Sequence, residues 1–331
     1  MARKKPMGEM AIFYGDKPNT GQYDNGIWMD VLDIPYIEKI DEAQFYKVII
    51  RTLWLDAIGW SKEIKNRYPH VIQIGLSDHP LSADLSRMNP RQASAYLEDL
   101  SYLDGIMALS EEERQWYQIA LPSKPVRNIS LPFPTHKYEK ERDLAKTYKK
   151  EWVGLGIGAY GAGQNDRNFI SNLLVFRKLK LKYPDLKGVF LSVPEPLIPY
   201  CSAYADYFKD VYLHERVNME DFYEILSGCK FVINLADRNS PGRVQGEGAY
   251  FGVPVIGTNR FELQNTLWPK LACSSYELEK AYNLADTLLS DENWHQELCD
   301  YAYDELLANY DYAASKAKFD NLLENVKSSL A

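Results

Sequence analysis

Cysteine is scarce: the chain has four in 331 residues (201, 229, 273 and 299), all in the second half and none in a Cys-x-x-Cys pair. That usage excludes a disulfide framework and fits free thiols in a reducing compartment. No Cys/His cluster has zinc-ligand spacing. A Walker P-loop and a Gly-x-Ser-x-Gly nucleophile elbow are both missing, which removes the common nucleoside triphosphatases and serine hydrolases. No apolar run approaches the ~20 residues needed to cross a bilayer. The start, MARKKPMGEMAIFYG, has basic residues but only a short apolar stretch before Asp16, unlike a secretory signal. A cytoplasmic protein is the expectation. Internal repeats and low-complexity tracts are absent as well.

What is present is the composition of a soluble globular chain, 46% hydrophobic and 25% charged. Its length suits two domains of ordinary size. The net charge of −8 is unevenly spread: residues 1–150 balance 21 basic against 21 acidic side chains, and residues 151–331 carry 17 against 25. An acidic balance argues against generic nucleic-acid binding.

Short, nearly continuous apolar runs alternate with helix-like segments. Strands are expected at residues 10–14, 47–52 and 71–76, then at 105–109 and 126–130. A second series follows at 151–158, 187–193, 210–213, 231–235 and 254–256. This alternation is that of parallel sheets covered on both faces. Ser110 reads as the N-cap of the next helix, with Glu113 at the capping-box position. Residues 136–150 are charged and weakly apolar and read as a linker. A helix expected over residues 167–183 places Phe169, Ile170, Leu173, Leu174 and Phe176 inward. Its Arg177, Lys178, Lys180 and Lys182 suit the negative end of the helix dipole.

The chain is organised around residues 239–258, NSPGRVQGEGAYFGVPVIGT. They join one buried strand to the next through a glycine-bearing loop and a short helix over 244–251. Gly242 allows close backbone approach, and Gly246, Gly248 and Ala249 allow tight helix–sheet packing. A helix N-terminus beyond a strand's carboxyl end offers free N–H groups to a phosphate. Glu247, on that helix and outside the expected apolar core, is suited to accept two hydrogen bonds from a ribose diol. A second glycine-rich loop, GIGAYGAG at 156–163, also precedes a helix start. It keeps a Rossmann oxidoreductase among the competing readings.

Residues 239–255 resemble the donor-binding signature of the retaining GT-B glycosyltransferases of family 4. That pattern is Glu-Gly-Phe-Gly with a second Glu eight places after the first, then Ala and Gly-x-Pro-Val. Gly242, Glu247, Gly252, Pro254 and Val255 fit in register, with Ala249 displaced by one. Asn239 stands in place of the first Glu and Pro241 in place of the Phe. The resemblance implies an α/β GT-B fold, two Rossmann-like domains with parallel sheets facing across a cleft. Residues 1–145 would bind the acceptor, residues 150–313 the nucleotide sugar, and 314–331 would form a helix returning to the first domain.

The resemblance also implies roles for single residues. Glu247 holds the ribose and Asn239 meets the donor sugar's hydroxyls, with Pro241, Gly242 and Val244 lining the donor. His214 and Val217 fall where the family's backbone meets the nucleotide base. Gly158 lies in the loop that touches the diphosphate. The family's strand-end Arg is replaced by Ala159, so Arg167 and Arg243 are the expected cations on the leaving diphosphate, whose developing charge needs them. Arg238 is expected to be a solvated surface residue. Asp78 and His79 follow a strand's carboxyl end, where open sheets bind ligands, and would orient the acceptor or the sugar. Gly21, Asp24 and Asn25, in the loop after the first strand, would touch the acceptor.

No Asp-x-Asp occurs, so the metal-binding signature of the other large glycosyltransferase fold is missing. The expectation is a metal-independent, retaining, hexosyltransferase-like enzyme with no cofactor beyond a UDP- or GDP-linked donor. Its acceptor stays open among lipid, glycan, protein, small molecule and a hydroxylated DNA base. Two alternatives remain: a catalytically silent GT-B protein that binds a sugar nucleotide or a partner, and a GT-B sugar-nucleotide epimerase.

Overall fold

A computed structural model describes residues 8–13, 26–53, 57–77, 81, 85, 88–156, 168–193, 198–199, 201–203, 211–215, 218–237 and 240–331. The chain divides into two compact units, one made of Met1–Pro134 with Tyr310–Ala331, the other of Thr135–Asn309. Each contains a six-stranded parallel sheet. Among the described residues, no helix is long and apolar enough to cross a membrane.

The first unit has strands β1 (Gly8–Phe13), β2 (Tyr36–Ile37), β3 (Tyr46–Leu53), β4 (Ile72–Ser77), β5 (Gly105–Ala108) and β6 (Val126–Asn128). Their spatial order is β2-β1-β3-β4-β5-β6. Helices α1 (Ile27–Leu32), α2 (Trp60–Arg67), α3 (Pro90–Ser101) and α4 (Glu111–Ala120) run between them. Ile12, Ile50 and Ile74 fill one face of the sheet and are fully buried. Arg51, inside the apolar run of β3, is 2% exposed. Burying a guanidinium is tolerable only when it is paired: its Nη1 lies 2.9 Å from Asp99 Oδ2 of α3 and donates to Ser61 Oγ at 2.5 Å.

The second unit opens earlier than composition indicates. Residues 136–150, expected as linker, include a helix, α5 (Glu139–Ala145), that belongs to this unit. Its charge had concealed two anchors. Tyr138 is buried against Tyr223, with ring centroids 4.8 Å apart. Arg142 lies 3.7 Å over the Tyr303 ring and donates from Nε to the Tyr250 carbonyl at 3.0 Å. A guanidinium stacked on a ring uses its flat face for packing, so a charged helix can dock without an apolar stripe.

Strands β7 (Trp152–Gly156), β8 (Lys187–Val193), β9 (Val211–Glu215), β10 (Cys229–Asn234), β11 (Val255–Thr258) and β12 (Ala272–Cys273) form the second sheet. Its order is β12-β11-β10-β7-β8-β9. The direction of winding therefore reverses between β7 and β10, the place where open α/β sheets bind ligands. Around it lie α6 (Phe169–Lys182), α7 (Met219–Ser227), α8 (Arg243–Phe251), α9 (Glu262–Leu267), α10 (Leu278–Ser290) and α11 (Glu292–Tyr310).

Helix α6 buries Leu173 and Phe176 as expected, but its inward face is shifted from the one expected. Ile170 and Leu174 are 45% and 42% exposed, while Asn172, Leu173, Val175, Phe176 and Leu179 are buried. A polar residue, Asn172, takes the centre of the buried face because it is bonded to the strand ends, as described below. The last helix, α12 (Tyr312–Leu330), packs on the first unit's sheet through Phe319, Leu322 and Val326. The fit is close: a Cβ on Gly105 of β5 would come 2.5 Å from Val326 Cγ2.

Helix α8 is held equally tightly. A Cβ on Gly248 would lie 2.5 Å from the Val253 carbonyl oxygen and 2.6 Å from Val255 Cγ2. Gly248→Ala should therefore destabilise the protein by about 1–3 kcal/mol, the usual cost of overpacking, although alanine is the better helix former. Thermal or urea unfolding checks this; an unchanged midpoint would show that α8 can move off β11.

Candidate functional site

Where β7 and β10 end side by side, three asparagines organise the backbone. A Cβ on Gly156 would meet Asn234 Oδ1 at 2.9 Å, so the last residue of β7 is glycine because the Asn234 side chain lies against it. Asn172 of α6 donates to the Gly156 carbonyl and accepts from Leu235 N–H, both at 2.9 Å. Asn168, in the left-handed region with φ +46°, donates to the carbonyls of Leu235 and Ser275 at 3.1 and 2.9 Å. The helix start, both strand ends and the Ser275 segment are thus tied into one frame. None of these residues was selected from sequence, because an isolated Asn near a glycine loop carries no spacing signal.

The loop after β10 is anchored from its far side. Pro241 carbonyl accepts Leu263 N–H at 2.9 Å, and Ser240 bridges Phe261. Asp237 pairs with Arg260 at 3.1 Å and accepts from Tyr276 OH at 3.1 Å. Gly242, at φ +87°, makes the turn into α8 in a conformation that L side chains resist. Gln245 then donates to Gln264 Oε1 at 3.2 Å, and its carbonyl accepts Trp268 Nε1–H at 3.0 Å. The amino end of α8 is consequently rigid and stands beyond the carboxyl end of β10, next to the strand switch.

Of the expected donor residues, the structure places Pro241, Gly242, Arg243, Val244 and Glu247 on this one loop and helix. Pro241 and Gly242 are buried, and Arg243 and Val244 half-buried. Glu247 is 1% exposed, so it is a core residue in spite of its charge. Burial pushes its carboxyl up to about 7, and the Arg243 guanidinium, one turn earlier, opposes that rise. The same carboxyl bears on Tyr138 and Tyr223: burial, followed by the charge of Glu247, raises both phenols, Tyr138 to about 12. Tyr223 OH is buried without a hydrogen-bond partner among the described residues. The two tyrosines were missed from sequence because their helices, α5 and α7, are remote along the chain.

His214 belongs to β9, which continues through Glu215, and not to the loop after it. Asn218 is the N-cap of α7 and accepts from Asp221 N–H at 2.9 Å. Asn239, Gly158, Arg167, Val217, Asp78, His79, Gly21, Asp24 and Asn25 lie outside the described residues.

In the first unit, the neighbourhood of Asp78 and His79 has an anchor with a different role from the one expected. Ser110 caps α4, accepting Glu113 N–H at 3.2 Å. The Glu113 carboxylate, expected to return to the cap, instead accepts from Ser77 Oγ, Leu81 N–H and Leu109 N–H at 3.0, 3.0 and 3.1 Å. It therefore holds both flanks of the segment carrying Asp78 and His79. Among the described residues no group of three or more His, Cys, Asp or Glu side chains is arranged to hold a metal.

Solved structures of the same architecture are numerous. HepE from Anabaena, crystallised with UDP, matches 96% of this chain and 100% of its own with a TM-score of 0.72 at 11% identity. Sucrose-phosphate synthase from Thermosynechococcus elongatus gives 0.71 at 13%, over 95% and 81% of the two chains. TarM from S. aureus gives 0.67 at 12%, over 85% and 56%. The fold is GT-B. At these identities the likeness is one of fold; no family model and no curated protein sequence matches the chain.

Proposed function

We propose that this GT-B protein is a glycosyltransferase that takes a sugar from a nucleotide donor held by its second unit. The observation that carries the proposal is Glu247, a buried carboxylate in the middle of α8, one turn beyond a helix start that stands beside the β7–β10 switch. A ribose diol would give this acceptor the two hydrogen bonds it needs, and the N-terminal N–H groups of α8 suit a diphosphate. HepE, of the same fold, has been crystallised with UDP and with UDP and glucose, which supports a uridine nucleotide ahead of a guanosine one.

In the proposed reaction Glu247 orients the ribose, while Arg243 and Arg167 neutralise the leaving diphosphate as the glycosidic bond breaks. Helix dipole and guanidinium groups supply that charge without a metal. His79 and Asp78, which follow β4 in sequence, orient the acceptor hydroxyl. Retention of anomeric configuration follows from the resemblance in residues 239–255, and a cytoplasmic location from the cysteine usage.

A thermal-shift panel of UDP, GDP and ADP sugars tests the donor class. One ligand at 100 times its Kd should stabilise the protein by about 2.7 kcal/mol; no stabilisation by any of them would sink the proposal. Donor hydrolysis or transfer should then persist in EDTA. Loss on chelation, with recovery on Mg²⁺ or Mn²⁺, would contradict the metal-independent step.

Asn239 in place of the family's first Glu favours a second reading, a sugar-nucleotide binder without turnover. Tight donor binding with neither hydrolysis nor transfer to any acceptor would select it.

A further inference from the structure

At the amino ends of β7, β8 and β10, on the edge of the second sheet opposite the candidate donor site, lies a pocket of about 500 Å³. Roughly 15 Å of strand separates the two ends, at about 3.3 Å per residue. Five lysines line this pocket, 149, 150, 182, 187 and 230, against two carboxylates, Glu151 and Asp185. Such a concentration stands out in a chain that holds 38 basic and 46 acidic side chains.

The lysines differ in what neutralises them. Lys182 is paired with Asp286 at 2.7 Å and Lys149 with Glu151. Lys150 donates to the Gly252 carbonyl, and burial holds its ammonium below the usual lysine range. Lys187 lies 5.5 Å over the Trp152 ring. Among the described residues neither Lys187 nor Lys230 has a carboxylate at ion-pair distance. Both line the same pocket as Glu151, whose carboxyl is held low first by its bond to Lys149 and, least, by the charges of Lys187 and Lys230. Among the described residues Glu151 is paired with Lys149; Lys187 and Lys230 have no ion-pair partner, and Lys150, bonded to a backbone carbonyl, adds a further charge.

We propose that this pocket binds a phosphomonoester anion. Compact ammonium groups on flexible stems suit a dianion whose oxygens accept from several directions. The volume lies in the range of small-molecule sites and exceeds the need of a bare ion. An aromatic neighbour extends it: Trp152, edge-on to Tyr212 at 4.9 Å, lines an adjoining pocket of about 470 Å³ that shares Lys149. The phosphate is supplied either as free inorganic phosphate or as the head of a small phosphorylated polyol.

Calorimetric titration of the 331-residue chain with inorganic phosphate, glycerol 3-phosphate and glycerol, at constant ionic strength, tests the proposal. Both phosphate compounds should bind and glycerol should not. Equal affinities would identify free phosphate as the source, and tighter glycerol 3-phosphate a phosphorylated polyol. In a Lys187→Gln/Lys230→Gln variant affinity should fall at least tenfold with the melting temperature unchanged. Lys149→Gln, whose side chain is 85% exposed, serves as a second variant that does not disturb packing on Trp152, and should weaken binding at least threefold. Absence of phosphate binding, or binding that persists in both variants and so resides elsewhere, would overturn the proposal.

Discussion

Glu247→Gln will weaken the binding of UDP and its sugars by about 1.5–3 kcal/mol, the range for a hydrogen bond to a charged group, and will alter how stability depends on pH. The second effect has a definite sign. The carboxyl titrates near 7 in the folded protein, against an ordinary value of 4.5, with burial as the main cause. Between those pH values the native state holds a proton that the unfolded state has lost. Stability is therefore complete below 4.5 and declines as the pH rises through 7, by roughly 3 kcal/mol at about 1.36 kcal/mol per unit. Gln cannot ionise, so the variant should lack this slope. Nucleotide binding acts in the opposite sense, because a ribose diol favours the carboxylate: donor affinity should rise with pH toward 7 and then level off. Glutamine keeps the volume of a residue that is 1% exposed, whereas alanine would add a cavity to the measurement. Superimposable pH–stability curves for the two proteins, or equal UDP affinities at pH 8, would remove Glu247 from the donor site.

Arg243→Ala should lower turnover by about 10²–10³, the loss found when one preorganised donor to a developing oxyanion is removed. Arg243 is the first residue of α8, half-buried, and its charge already acts on Glu247 and Tyr138. On the proposed reading Ala159 replaces the strand-end Arg of the signature that residues 239–255 resemble, so a bound diphosphate would meet fewer cations and each remaining one would carry more of the load. Arg238→Ala is the comparison: Arg238 lies outside the described residues and reads from sequence alone as a surface residue, and the loss of such an arginine should cost at most ~1 kcal/mol. Two further readouts separate a phosphate contact from a structural role. Loss of the guanidinium should move the titration of Glu247 upward, since its opposing charge is gone. Arg243→Lys should restore part of the rate, keeping the charge while losing the fork. Normal kinetics in Arg243→Ala would end its assignment to the leaving group.

Periodicity located five strands of each parallel sheet, and missed β2 and β12 because two-residue edge strands leave no run to read. Residues 48–50 and 231–233 are apolar on successive positions, as strands buried on both faces require. The Gly242–Pro254 stretch was legible for a local reason: a left-handed turn at Gly242 and the tight fit of Gly248 each need glycine, and local backbone demands leave their mark on a single sequence. What tertiary structure decided are pairings between residues far apart along the chain. Nothing in the composition of residues 136–150 shows that Arg142 finds Tyr303 and Tyr250, so a docked helix read as a linker. Asn172 is an ordinary polar residue until β7 and β10 end beside it. Glu113 looks like half of a capping box until Ser77, Leu81 and Leu109 surround its carboxylate. Glu247 marks the same limit most clearly. Its place in the motif was readable from spacing, but its burial, and hence its titration near 7, depends on which helices close over it.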